Sequence, residues 1–326
     1  SGEVYCWGNL YYSTIFSGLD EEVLKPGRVG SDNDWTKVVC GYRHTCGIRN
    51  GELYCWGNNY SGELGDGTTE KRETPSRVGN KNGWQVVSLG YLNTCGIMRG
   101  ELYCWGGYYD IAKEENVVVN SPVRIGQNSD WEKVVAGTFT KPCGLRKGTL
   151  YCWESGNYES GETVIEKVGK YSDWSEISRW FSYYMCGIRN RELYCWGDNS
   201  FGQIGDGTNE NKEEPVKIGS SSSWSLVSTG LNHTCGINGN NLYCWGSKDS
   251  GKLGNGEDSF SEEPVQVGNS SDWKLVSAGN SHTCAIRNDD LYCWGWNQSG
   301  ELGDGTKINS QIPVQTLDSG KWESVI

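Results

Sequence analysis

Methionine, phenylalanine and histidine are scarce in this chain, at two, five and three residues of 326. So few histidines leave little material for the common acid-base and metal-ligand designs, so neither catalysis nor a cofactor nor a bound metal is expected. No apolar run approaches the roughly 18 residues of a membrane-spanning helix, which argues against membrane insertion. Ser1 is followed by no charged-then-apolar leader, as expected of a processed N-terminus. Basic residues are outnumbered, 29 against 41 acidic, for a formal charge of −12. Such a surface repels phosphate backbones, and nucleic acid is not an expected partner.

Glycine, tryptophan and tyrosine are abundant, at 46, 16 and 18 residues, a composition of short strands and tight turns. An aromatic-Cys-Trp motif recurs at Cys6, Cys55, Cys104, Cys152, Cys195, Cys244 and Cys293, roughly every 49 residues. A second series begins at Trp35, Trp84, Trp131, Trp174, Trp224, Trp273 and Trp322. Each full unit reads as four strands: a Trp-x-x-Val stretch, a His-Thr-Cys-Gly-Ile stretch, a Glu-Leu-Tyr-Cys-Trp stretch and a short stretch around Pro-x-x-Val-Gly. Four short strands per unit are the signature of a propeller blade, and one blade cannot cover both its apolar faces alone. The expectation is a single all-β, seven-bladed β-propeller over 1–326, with blades near 35–83, 84–130, 131–173, 174–223, 224–272 and 273–321. Residues 322–326 together with 1–34 are expected to form the seventh blade, closing the ring by pairing the N- and C-terminal strands.

Twelve of the 14 cysteines share one spacing: Cys46/Cys55, Cys95/Cys104, Cys143/Cys152, Cys186/Cys195, Cys235/Cys244 and Cys284/Cys293. A two-residue turn such as Asn50-Gly51 lies midway between each pair. Counting outward from that turn puts the two cysteines opposite each other at a non-hydrogen-bonded position, where Cα atoms approach to about 4.5 Å, within a disulfide's reach. Six cross-strand disulfides are therefore expected. Zinc is the weaker alternative, because pairs on separate hairpins do not converge on one ion. Disulfides at this density point to an extracellular or cell-surface location. Cys6 and Cys40 are left over and are expected to pair with each other.

The unit from His44-Thr-Cys-Gly-Ile through Glu-Leu-Tyr-Cys-Trp-Gly to Gly-Asp-Gly-Thr68 resembles the repeat of the regulator of chromosome condensation family, as do residues 282–306. The resemblance spans almost the whole chain and implies a seven-bladed propeller. The cysteines depart from the nuclear founder of that family and look like secreted relatives and the crinkly-type ectodomains of plant receptor kinases. The founder's basic chromatin-contacting segments have no counterpart in this acidic chain.

His44, His233 and His282 fall at one repeat position, and a structural hydrogen bond within each blade is expected of them. Asp66, Asp206 and Asp304 recur in a Gly-Asp-Gly turn, where a carboxylate caps backbone amides; a calcium loop is the alternative. Asn-x-Ser/Thr sequons at Asn59, Asn232, Asn269 and Asn297 are candidate sites for N-linked glycans. Function is expected where units break the pattern, in segments rich in Tyr11, Tyr12, Phe16, Tyr108, Tyr109, Tyr158, Trp180, Phe181, Tyr183 and Tyr184. These aromatics form a partner surface or, alternatively, fill gaps left by altered loops. The reading is a non-catalytic extracellular protein-interaction or structural assembly module whose partner is another protein or itself, including a filament or coat subunit. A lectin-like carbohydrate binder and a secreted enzyme inhibitor are the alternatives.

Overall fold

The computed structural model describes residues 2–8, 23–110, 114–137, 141–154, 163–180, 182–257, 259–317 and 320–326, without the side chains of 109 and 110. The chain is an all-β propeller protein, and no α-helix occurs among the described residues. Strands β1 (Tyr5–Gly8) and β2 (Val23–Arg28) make a two-stranded sheet. Strands β3 (Trp35–Cys40), β4 (His44–Arg49), β5 (Glu52–Gly57) and β6 (Arg72–Arg77) then make an antiparallel four-stranded sheet. Five more sheets of the same strand order follow at 84–124, 131–167, 174–217, 224–266 and 273–315. The chain divides into two compact units, Ser1–Cys6 with Leu10–Glu21 and Arg28–Asp173, and Trp7–Asn9 with Glu22–Gly27 and Trp174–Ile326.

Among the described residues six four-stranded blades are thus present rather than the seven expected. The reason is local: neither 2–8, 23–34 nor 320–326 contains a His-Thr-Cys stretch, so no second strand exists there to join a Trp strand to a Cys-Trp strand. Residues 322–326 adopt no strand, yet the Trp322 amide donates to the Asp289 carbonyl at 2.9 Å, as the Trp273 amide donates to that of Asn240 at 3.2 Å.

Three devices recur in the blades, the third of them absent only from the blade at 131–167. The first strand carries a one-residue bulge after its tryptophan: Trp35 faces Arg49 while Lys37 faces Ile48, leaving Thr36 extra. The hydroxyl of the bulged residue donates to the carbonyl it faces, Thr36 to Ile48 at 3.0 Å and Ser175 to Ile188 at 3.1 Å. The tryptophan ring then lies across the second strand, where a Cβ on Gly47 would come within 2.6 Å of it, to meet Trp56 at 5.8 Å between centroids. Finally, six of the seven prolines (26, 75, 122, 215, 264 and 313) stand in outermost strands, where a missing N–H denies a ladder to any further chain.

The six bridges form at the expected register, Cys46 opposite Cys55 and so through Cys284 opposite Cys293, with Cα atoms 4.0–4.1 Å apart. Five of them lie in the cores of the two units beside leucines and isoleucines of the same strands, while in Cys143–Cys152 the second cysteine is half-buried. Cys6 and Cys40 are neighbours but not bridged: the Cys6 thiol hydrogen-bonds Cys40, which pushes Cys6 up and Cys40 down from the ordinary thiol range.

Candidate functional site

Within each unit, consecutive blades are latched by a polar chain that runs through the repeat histidine. His44 Nε2 lies 2.9 Å from Thr94 Oγ1, and that hydroxyl donates onward to the Glu63 carbonyl at 2.8 Å. The same chain links His233 Nε2 to Thr283 Oγ1 at 2.8 Å and Thr283 to the Lys252 carbonyl at 2.9 Å. The bond reaches the following blade instead of staying within one, which corrects the sequence expectation. Because the threonine's only proton goes to a carbonyl, the imidazole must be the donor, so the proton sits on Nε2. Nδ1 of His44 and of His233 is buried without a hydrogen-bond partner. A second proton there has nothing to bond. Burial accordingly lowers His44 to about 3 and His282 to about 4, and lowers His233 well below the usual range.

Tyr184 occupies the histidine position of its blade and does the same work with a longer side chain. Its hydroxyl donates to the His233 carbonyl at 2.6 Å and lies 3.1 Å from Thr234 Oγ1, whose own proton goes to the Gln203 carbonyl at 2.7 Å. Tyr184 is therefore buried latch and not partner surface; Tyr108 is likewise buried. Trp180 is half-buried, its amide bonded to Thr229 Oγ1 at 2.9 Å, whereas Tyr183 is 61% exposed. Tyr11, Tyr12, Phe16, Tyr158, Phe181 and the side chain of Tyr109 lie outside the described residues.

The Gly-Asp-Gly turn is built around an asparagine. Asn59 Oδ1 accepts from the Leu64 amide at 3.0 Å, while Nδ2 donates to the carbonyls of Thr68 and Glu70 at 3.1 and 3.0 Å. Asn297 repeats this with Leu302, Thr306 and Ile308. Both side chains are fully buried and their amide hydrogens are used, so neither offers an acceptor site for a glycan, contrary to the sequon reading. Asn232 is half-buried and Asn269 exposed. Asp66 Oδ1 accepts from the amide and hydroxyl of Thr68 at 2.9 and 2.6 Å, and its Oδ2 faces Arg72 at 2.7 Å. Asp206 pairs in the same way with Lys212 at 3.1 Å. These carboxylates cap backbone amides and close turns.

The turn's first glycine seats it on the following blade. Gly205 has φ +86° and lies so close to Trp245 that a Cβ would come within 2.4 Å of its Nε1. That indole donates to the Gln203 carbonyl at 3.0 Å, as Trp105 does to Glu63 and Trp294 to Lys252. The blade at 84–124 replaces this turn, and the indole N–H of Trp153 in the next blade is left without a partner.

The described surface exposes apolar and acidic side chains. No group of three or more metal-ligating side chains assembles among the described residues. Exposed large apolar side chains include Phe201, Phe260, Trp296, Ile308 and Ile312. The repeats alone would have located these residues, through positions where one unit is apolar and its sisters are polar.

The geometry agrees with comparison to known proteins. No curated protein matches the chain at a significant level. Among solved structures, yeast RCC1 (Prp20) bound to Kap60 superposes with a TM-score of 0.81 at 18% identity, covering 97% of this chain and 84% of that one. Prp20p from Saccharomyces cerevisiae, in a structure described with its binding to Gsp1p and histones, gives 0.81 at 18%, covering 97% and 86%. Human WBSCR16 gives 0.81 at 19%, covering 98% and 95%. At these identities the likeness is one of fold. A family model for the RCC1-like domain matches residues 3–325, and the chain belongs to that family.

Proposed function

We propose that this chain is a non-catalytic, extracellular protein-interaction or assembly module. The observation that carries the reading is how the repeat's polar groups are used: the latch residues, Asn59, Asn297 and the turn aspartates are engaged in holding blades and turns, while loops between third and fourth strands expose aromatic and aliphatic side chains. Such exposed apolar surface marks interaction sites in soluble proteins. Six bridges favour an oxidising compartment. Prp20, of the same fold, has been solved with a protein partner. Proline in the outer strands disfavours assembly by edge-to-edge strand pairing, so self-assembly would use loops and faces. Cross-linking mass spectrometry on native material, with prior alkylation of free thiols, tests the reading. Oxidised cysteines and cross-links to another protein or a second copy are expected; a cytosolic protein with free thiols and no cross-links would sink it.

The reading includes closure of a seventh blade by the two ends. Trp7 meets Trp322 at 5.8 Å in a T-shaped contact, matching the Trp–Trp pair of each four-stranded blade. Trp7 Nε1 donates to the Glu301 carbonyl at 2.8 Å, as Trp294 does to Lys252. Replacing Trp322 with alanine is expected to cost about 2 kcal/mol, below the about 3–5 kcal/mol of a fully buried aromatic because Trp322 is half-buried. Thermal unfolding of W322A measures this, and an unchanged midpoint would remove the terminal segment from the folded unit.

A further inference from the structure

The blades of the second unit provide their own control for surface residues that the fold does not require. Phe201, Phe260, Trp296, Ile308 and Ile312 are 41–73% exposed. All lie in or beside the connection between the third and fourth strands of the blades at 174–217, 224–266 and 273–315. The sister units carry polar residues at the same repeat positions: Ser61 and Ser299 for Phe201, Asn211 and Asn309 for Phe260, Asn58 and Asp198 for Trp296, Glu70 and Glu210 for Ile308, Thr74 and Glu214 for Ile312. The turn is built regardless of these side chains. Phe201 contributes only its amide, which donates to Gln203 Oε1 at 2.8 Å, and Ser61 makes the same bond to Glu63 at 2.8 Å.

Contacts between consecutive blades and within the last turn bring the segments that carry these residues side by side. Gly202, next to Phe201, sits where a Cβ would be 2.9 Å from the Cα of Glu262, two residues from Phe260. The amide of Gly256 donates to the Gln311 carbonyl at 3.0 Å, and a Cβ on Gly256 would lie 3.5 Å from Ile312 Cγ2. Asn297, next to Trp296, donates to the Ile308 carbonyl at 3.1 Å. Glu213, Glu214, Glu257 and Glu263 are exposed along the same edge. Of the cations nearby, Lys212 is paired with Asp206, Lys252 is buried with Nζ 3.8 Å from Asp249 Oδ2, Lys248 is half-buried and Lys307 is exposed.

We propose that this edge of the second unit is a docking surface for a cationic, amphipathic segment of a partner protein. It rests on the interaction reading above and gives it an address and a chemistry. The exposed apolar side chains remove the partner's aliphatic or aromatic side chains from water, and the flanking carboxylates select lysine and arginine. An acidic amphipath is repelled, and a cationic segment without apolar residues finds charge but gains nothing from the apolar side chains.

Three synthetic peptides test this by fluorescence anisotropy against the intact, oxidised chain: alternating Lys/Leu, Glu/Leu and Lys/Ser. Lys/Leu is expected to bind best, and the triple variant Phe201→Ser/Phe260→Ser/Ile308→Ser to weaken it at least about tenfold, with an unchanged melting midpoint because all three side chains are exposed. The variant Glu213→Gln/Glu214→Gln/Glu263→Gln is expected to weaken Lys/Leu binding and flatten its salt dependence. Equal binding of Lys/Leu and Lys/Ser, or unaltered binding by the apolar triple variant, overturns the proposal. The native cross-linking experiment separates the two levels: partner cross-links confined to other surfaces remove this edge but keep the interaction reading, whereas a lack of any partner removes both.

Discussion

Reduction of the six bridges is expected to unfold the protein at temperatures where the oxidised form is stable. Each bridge joins cysteines nine residues apart, and closing so short a loop restrains the unfolded chain by about 2 kcal/mol, or about 12 kcal/mol for six. That sum is comparable to the whole stability of an ordinary domain, about 5–15 kcal/mol. The native contacts themselves change little, because ten of the twelve sulfurs belong to residues with at most 1% exposure whose thiols would remain buried apolar groups. The loss therefore acts through the freedom regained by the unfolded chain. Thermal scans with and without dithiothreitol measure it, and a midpoint drop of more than about 20 °C is expected, given about 2–4 °C per kcal/mol in large domains. Removing one bridge in Cys46→Ser/Cys55→Ser gives the unit step of about 2 kcal/mol. A reduced protein melting within a few degrees of the oxidised one would show that strand packing alone holds the blades.

The bridges are legible in the sequence because their geometry is local. A two-residue turn fixes the hairpin register, and the register places Cys46 opposite Cys55 without knowledge of anything else in the fold. The latch is not legible in the same way. His44 is visible as a repeat position, but its partner Thr94 is 50 residues further on, and nothing local shows that the imidazole leaves its own blade. Asn59 shows the opposite failure: a three-residue motif suggests a glycan site, while the bonds that bury its amide come from residues five to eleven positions away. Tyr184 reads as a surface aromatic because it breaks the repeat. Aligned as a substitute for His44, it stands in the same place and makes the same kind of inter-blade bond. The count of blades depends on a strand that residues 2–8, 23–34 and 320–326 do not contain, so repeat markers numbering seven overstate the four-stranded sheets by one.

The latch predicts that stability falls with pH well before most carboxylates are protonated. In the folded state the three histidines are held neutral, His44 down to about 3, His282 to about 4 and His233 well below the usual range, in each case chiefly by burial. In the unfolded chain each titrates near its ordinary value of about 6.5. Between these limits the unfolded state binds more protons, so stability rises with pH and is lost as pH falls from about 6.5. Each group costs about 1.4 kcal/mol per pH unit, or about 3 kcal/mol at pH 4 for each of His44 and His282, with His233 adding in the same direction. The chain supplies its own control residue. Asn93 occupies the histidine position of the blade at 84–124 and is buried, and its backbone carbonyl accepts from the Gly90 amide as that of His44 does from Gly41 and that of His233 from Gly230. The triple variant His44→Asn/His233→Asn/His282→Asn should therefore fold at neutral pH with some loss of stability and show a flatter decline toward pH 4, read as denaturation midpoints at half-unit pH intervals. Carboxylate titration is common to both proteins, so the difference between the curves isolates the imidazoles. Parallel curves would mean that the histidines take up protons without cost, which the buried Nδ1 atoms of His44 and His233, with no acceptor, do not permit.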